Sequence, residues 1–335
     1  MVLEAHVVGI AIRGQAATRG ARRLLPQPVK SKWQVAAAAL GASFLFVQAR
    51  TALAKRNHRI RGRFLEVDGV RLHYLERGEG PALVMLHGLG SMIDDFVLSG
   101  LVARAAERYR VIVFDRPGYG RSSRPRERIW HPAAQAELIR KALLQLNVFA
   151  PVMFGHSYGA TVALAYALAY PVERLVLASG YYYPTVRLDA PVLVPPGIPV
   201  IGDLMRYTVS PILGRMLWPA WLRLIFGPPP VPRRFKPFPA WMALRPSQLR
   251  AVGEDAALLL PAVAAMKGRY SGVRVPTVLV AGADDRYLST EDHTGRLHRE
   301  IAGSELVLVP GAGHMVHHFD AAKVMQALVQ DDARV

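Results

Sequence analysis

The stretch VMFGHSYGAT holds one serine, Ser157, with Gly155 and Gly159 two residues away on either side. A short apolar run leads into it, and a run rich in small residues (Gly159, Ala160, Ala163, Ala165, Ala167) leads out. Read as a strand, a sharp turn and a helix, this pattern forces strained backbone angles on the central residue. Glycines beside it remove the Cβ atoms that would collide there. The hydroxyl of Ser157 then projects at the positive end of a helix, where a nucleophile is useful. A glycine-rich turn or a helix cap would use the same residues without chemistry. The strand–turn–helix context favours the nucleophile.

A serine hydroxyl needs a base, and the base needs a group that orients it and stabilises its charged form. Of the 11 histidines, His314 stands in GAGHM, after the last apolar run, where Gly311 and Gly313 let a loop place it. His317 and His318 follow closely and are the alternatives. VLVAGADDRYL supplies two acids, Asp284 and Asp285, while no carboxylate follows Ser179 until Asp189. The order serine, acid, histidine suits a nucleophile on a strand-to-helix turn. A developing oxyanion also needs N–H donors. LHGLG at residues 86–90 exposes backbone amides, and those of Leu89 and Tyr158 are the natural pair. His87 reads as a residue that holds this loop rather than as the base.

The surrounding elements must bring these residues together. RFLEVDGVRLHYLERG reads as a β-hairpin turning at Asp68-Gly69. Buried strands are expected at 82–86 and 110–115, in a run ending at Gly155, and at 173–179, 276–282 and 304–311. Helices are expected at 95–108, 132–146, 157–169, 290–301 and 320–330. Continuous apolar strands alternating with helices predict a mostly parallel sheet covered on both faces. The interval 181–275 differs: it holds 15 of the 25 prolines, three of the five tryptophans and a charge of +8, against −2 for 64–180 with 276–335. It reads as an inserted subdomain.

The chain has 335 residues and no cysteine, which excludes disulfides, thiolate metal sites and a cysteine nucleophile. Its net charge is +17, of which +11 lies in residues 1–63. The basicity is therefore that of an arm and not of a binding face. No nucleic-acid-binding motif accompanies it, and no nucleic-acid partner is expected. The first 32 residues read as a tail. Residues 33–49 are 17 residues without a charge, about 26 Å as a helix, close to the hydrocarbon thickness of a bilayer. Three readings stand for them: a membrane anchor, a helix packed on the protein, or a targeting segment. Six Lys/Arg at 13–32 and six at 50–63 leave the orientation open.

Taken together, five motifs resemble those of the α/β-hydrolase superfamily, in its cap-containing serine hydrolase branch. They are His87-Gly88-Leu89-Gly90; Asp115-Arg116-Pro117-Gly118-Tyr119-Gly120-Arg121-Ser122; Gly155-His156-Ser157-Tyr158-Gly159; Gly282-Ala283-Asp284-Asp285-Arg286; and Gly311-Ala312-Gly313-His314. The resemblance covers about residues 64 to 335. It implies an α/β-hydrolase fold: a mostly parallel eight-stranded sheet with helices on both faces and an inserted helical cap. The expected domains are a basic arm at 1–62, outside the resemblance, with a candidate membrane-anchor helix at about 33–49; an α/β-hydrolase core of 63–180 with 276–335; and a Pro/Trp-rich helical cap at 181–275. The family spacing selects Asp285 over Asp284, so the implied triad is Ser157, Asp285 and His314, with Leu89 and Tyr158 N–H groups as the oxyanion hole. The Asp115–Ser122 run is usually a structural loop in this family. Serine at 157 argues against dehalogenase and epoxide-hydrolase activity, whose branches carry aspartate there. No cofactor and no metal is implied.

The expected activity is hydrolysis of a carboxylic ester, a hydrophobic one, through an acyl-enzyme. Carbon–carbon bond hydrolysis, lactonase and haloperoxidase-like activity use the same triad, and a membrane-tethered pseudo-hydrolase is the non-enzyme alternative. The cap's charge and its Trp218, Trp221 and Trp241 suggest a membrane surface as partner, with packing of these rings onto the core as the other reading. The protein is expected at a membrane through its N-terminal helix, and otherwise in the cytoplasm.

Overall fold

Asp68 and Gly69 both adopt positive φ, 48° and 73°, and turn strand β1 (Arg63–Val67) into β2 (Val70–Arg77). A two-residue turn of this hand matches the right-handed twist of paired strands. The computed structural model that shows this describes residues 31–329. Of the tail read at 1–32, all but the last two residues lie outside the described residues, as does Gln330 of the last expected helix.

Six further strands follow: β3 (Ala82–Leu86), β4 (Arg110–Phe114), β5 (Val152–His156), β6 (Arg174–Ala178), β7 (Thr277–Gly282) and β8 (Glu305–Val309). Each falls within a residue or two of its expected position. Among the described residues they form one eight-stranded sheet in the order β1-β2-β4-β3-β5-β6-β7-β8. β2 pairs antiparallel with β1 and β4, and the other neighbours pair in parallel. The expected mostly parallel sheet is thus present.

β3, β5 and β7 are buried along nearly their whole length because helices cover both faces. Leu83, Met85, Val152 and Phe154 pack with α2 (Ile93–Ser99), α3 (Leu101–Ala105) and, further on, α13 (Ala321–Leu328). Val84, Leu86 and Met153 pack with α4 (Pro132–Gln145) and α5 (Tyr158–Ala167) on the other face. Each such side chain contributes roughly 1.5–3 kcal/mol by leaving water. The expected helix at 95–108 is two helices, because Gly100 sits at φ 82° and ends the first. The expected one at 290–301 begins as a wider π-type turn, Glu291–Gly295, before α11 (Arg296–Glu300).

Between β6 and β7 the chain forms α6 (Ala190–Leu193), α7 (Ile201–Tyr207), α8 (Val209–Phe226), α9 (Ala240–Ala243) and α10 (Pro246–Met266). No strand occurs in this interval. Its prolines fit that outcome, since proline cannot donate to a strand ladder and suits first helical turns, as Pro246 does. After β8 come α12 (Val316–Phe319) and α13.

Ahead of the sheet stands α1 (Lys32–Asn57), 26 residues and about 39 Å long. It outruns the uncharged segment 33–49 because Ala52, Leu53, Ala54 and Lys55 are strong helix formers that carry it on. By length and composition it could cross a membrane. Its side chains are mostly exposed, with Val47 the buried exception. The described residues from Leu40 onward group as one compact unit.

Candidate active site

Leu86 pairs with Gly155, so the ends of β3 and β5 lie side by side, and the loop after each strand opens at the carboxyl edge of the sheet. β7 and β8 pair on the far side of β6, with Gly282 beside Val309. Four loops from these strand ends therefore meet above one edge, the usual place for a site in such a sheet.

Ser157 stands between β5 and α5 at φ 55° and ψ −122°. This region is sparsely populated for a residue with a Cβ and is held only by over-determining surroundings. The glycines supply them. A Cβ at Gly155 would strike the backbone of Gly159 and Ala160, and one at Gly159 would strike the Leu86 carbonyl. The strand can therefore turn into the helix only with glycine at both places.

The Ser157 hydroxyl donates to Nε2 of His314 at 2.9 Å. Nδ1–H of His314 donates to Asp285 Oδ2 at 2.8 Å. A carboxylate only accepts, so this contact fixes the proton on Nδ1 and leaves the Nε2 lone pair for the serine. The other Asp285 oxygen accepts the amides of Tyr287 at 2.8 Å and Leu288 at 3.0 Å. Asp284 turns away and accepts the Gly311 amide at 2.8 Å. His314 and Asp285 side chains are both buried.

The LHGLG loop runs against the serine: a Cβ added at Gly88 would lie 3.0 Å from Ser157 Cβ. The Tyr158 amide belongs to the first turn of α5 and has no intrahelical acceptor. Neither it nor the Leu89 amide makes a backbone bond among the described residues. His87 is fully engaged: Nδ1–H donates to Gly88 O at 2.9 Å, and Nε2 accepts the Arg116 amide at 3.1 Å. Burial, aided by the Arg116 charge, pushes its pKa down to about 4. It is a strut of the loop.

His317 and His318 are not near the serine's base position. Their Nε2 atoms donate to Asp95 Oδ1 at 3.2 and 2.7 Å. These three side chains form a buried group with ligand-type atoms within 4.8 Å of one another. Burial pushes the Asp95 carboxyl up, but the imidazoles of His317 and His318 outweigh it and hold it well below the usual carboxylate range. Asp189, the first acid after Ser179, binds Arg187 and accepts the Tyr287 hydroxyl at 2.7 Å.

Several supporting residues carried no separate sequence signal. His156 donates from Nε2 to the His314 carbonyl at 3.0 Å, and burial, then His317 and His314, hold its pKa well below 6.5. The Tyr287 ring packs edge-on to His314 at 4.8 Å. Arg116, fully buried, donates to the carbonyls of His87 at 2.8 Å and Gly88 at 3.1 Å, and to Asp255 of α10 at 2.6 Å. Asp255 also accepts from Arg124, Tyr119 and Gln135. α10 is thus tied to the loop beside Ser157. Arg116 and Tyr119 belong to the 115–122 motif, which here links that loop to α10.

Above Ser157 the pocket is walled by Trp218, Trp221, Leu222 and Ile225 of α8 with Phe235 and Phe238. Trp218 and Trp221 therefore face the site. Trp241 packs instead on α1, edge-on to Phe46 at 5.9 Å and under the Arg50 guanidinium at 4.9 Å. An apolar wall facing a serine–histidine–aspartate chain can hold an acyl chain against a nucleophile.

A family model described as alpha/beta hydrolase fold matches residues 81–321. An uncharacterized protein of Mycobacterium tuberculosis is 30% identical over 274 residues, covering 78% of this chain and 77% of that one. Two solved structures share the architecture. An esterase of Exiguobacterium antarcticum is 21% identical, covers 80% of this chain and 97% of its own, and has a TM-score of 0.66. A bacterial membrane phospholipase A is 22% identical, covers 88% and 94%, and has a TM-score of 0.62. At these identities the two structures attest the fold alone.

Proposed function

Since the chain belongs to the alpha/beta hydrolase family and is a hydrolase, we propose that it cleaves a hydrophobic carboxylic ester through a serine acyl-enzyme. One observation carries this: the unbroken hydrogen-bonded chain Ser157–His314–Asp285 at 2.9 and 2.8 Å. Ser157 Oγ attacks the ester carbonyl as its proton passes to His314 Nε2. The charge that forms on the carbonyl oxygen is held by the Leu89 and Tyr158 amides. Collapse breaks the carbon–oxygen bond, and His314 returns the proton to the leaving alcohol. Water, deprotonated by His314, then attacks the acyl-serine and frees the acid. Asp285 keeps the imidazole in the right tautomer and stabilises its cation. Residues 181–275 act as the cap, and the six apolar side chains over Ser157 support an apolar acyl group. Residues 1–62 act as an arm that anchors the enzyme to a membrane through α1.

The test has two parts. A fluorophosphonate should label the protein at Ser157 and leave Ser157→Ala unlabelled. Aryl esters of graded acyl length should turn over faster than vinylogous diketones. Preference for the diketones would make it a carbon–carbon bond hydrolase, and a folded protein that neither labels nor turns over would be a pseudo-hydrolase.

A further inference from the structure

α8 carries large apolar side chains on two opposite sides, with Arg215 and Arg223 exposed beside the outer one. One side, with Trp218, Trp221, Leu222 and Ile225, faces Ser157. The other presents Val209, Leu213, Met216, Leu217 and Leu224 outward, Met216 with 73% of its surface exposed. α7 continues this surface with Ile201 at 62% and Leu204 at 58%. Exposed apolar surface on this scale marks an interaction site.

The neighbouring helix says what covers it. From Leu40 onward, α1 runs beside the junction of α7 and α8. Ser43 Oγ donates to the Thr208 carbonyl at 2.9 Å, and the Phe44 and Tyr207 rings lie 6.2 Å apart. At this level α1 itself exposes Leu40, Leu45 and Phe46, and α1 is the described helix fit to enter a bilayer. The two apolar surfaces flank the Ser43–Thr208 and Phe44–Tyr207 contacts, so lipid that takes one lies beside the other. The insertion's charge of +8, with Arg215 and Arg223 exposed on α8, suits anionic headgroups, each contact being worth about 1 kcal/mol.

We propose that the outer faces of α7 and α8 sit in the interfacial layer of an anionic bilayer beside α1, so that α8 separates lipid from the pocket and substrate reaches Ser157 from the membrane. The route of substrate rests on the ester reading above, whereas the seating of the helices does not.

The protein has no cysteine, so single-cysteine variants of the full chain report cleanly. Leu204→Cys, Met216→Cys and, as a control on the far edge of the sheet, Glu107→Cys would each carry an environment-sensitive fluorophore. They would be reconstituted in vesicles of equimolar phosphatidylcholine and phosphatidylglycerol. Nitroxide-bearing lipid should quench the labels at 204 and 216 several-fold more than the label at 107. Equal access of all three labels to a water-soluble quencher would overturn the proposal. So would shielding of 204 and 216 from both quenchers, which would mean that protein, such as a second copy of the chain, covers the face. A Leu213→Glu, Met216→Glu variant should lose most of its rate on a bilayer-borne ester yet keep its rate on a soluble short-chain aryl ester. The retained rate reports an intact fold, and an equal loss on both substrates would count against the route. Fluorophosphonate labelling of Ser157 is indifferent to all of these outcomes, so the two readings fail separately.

Discussion

Asp284 accepts the Gly311 amide at 2.8 Å while Asp285, its neighbour, accepts Nδ1–H of His314 at the same distance. Two adjacent carboxylates thus serve one loop: one braces its backbone and the other engages the histidine it carries. Asp285→Asn should lower kcat by about 10⁴, because an amide can donate to Nδ1 and favour the wrong tautomer. Asp284→Asn keeps an acceptor for Gly311 and should be mild. The reverse ranking in one assay would move the orienting role to Asp284.

On the proposed reading, Ser157 as nucleophile and His314 as base form one cooperating unit. Ser157→Ala and His314→Ala should each cost several orders of magnitude in kcat, up to ~10⁶, with the double variant scarcely worse than either. A Ser157→Ala protein that kept a tenth of the turnover would refute the assignment.

Asp255 pairs with two buried guanidinium groups, Arg116 at 2.6 Å and Arg124 at 2.9 Å. Asp255→Ala leaves Arg116 buried without a carboxylate, while Arg124 keeps Glu254 at 2.6 Å; breaking such a buried pair typically costs about 3–5 kcal/mol. Urea denaturation would read this as a lowered midpoint. Because Arg116 also holds the carbonyls of His87 and Gly88, any folded fraction should show reduced kcat. A midpoint within error of the wild type would show that water replaces the carboxylate.

Acid should destabilise the fold well above the carboxylate range. Burial, with Arg116, pushes His87 down to about 4, and burial does the same to His293. Unfolded, both titrate near 6.5, so the unfolded chain binds more protons between these values and stability rises with pH. Stability is complete above about pH 7 and falls toward pH 4. His87 alone accounts for about 2 kcal/mol of the loss by pH 5. Denaturant midpoints at about pH 7.5 and pH 5 should differ accordingly, and identical midpoints would contradict the burial argument.

Trp221 forms part of the pocket wall and meets the Tyr287 ring edge-on at 5.2 Å. Trp221→Ala should widen the wall and shift the preferred acyl chain to a longer one. The change is measured as the ratio of kcat/KM between long and short esters, where each methylene is worth about 1–3 kcal/mol. An unchanged ratio would place the acyl chain elsewhere.

The strands, the hairpin at Asp68-Gly69 and the turn at Ser157 were legible in the sequence because each depends on neighbours close in the chain. Period, apolar runs and paired glycines are local signals. The motif order likewise pointed to His314, since its loop follows a strand whose place in the sheet the alternation of strands and helices implies. What needed the fold were relations between distant segments. Asp255 lies 139 residues from Arg116, and nothing near either marks the other. The partner of His317 and His318 is Asp95, more than 220 residues away. Gly100 divides a run whose periodicity suits one helix, since a positive φ is visible only in the backbone. The direction of α8 is the clearest case. Its sequence puts large apolar residues on both sides, so composition alone does not say which of them faces the site. Only packing over the sheet turned Trp218 and Trp221 toward Ser157 and left Met216 and Leu213 outside.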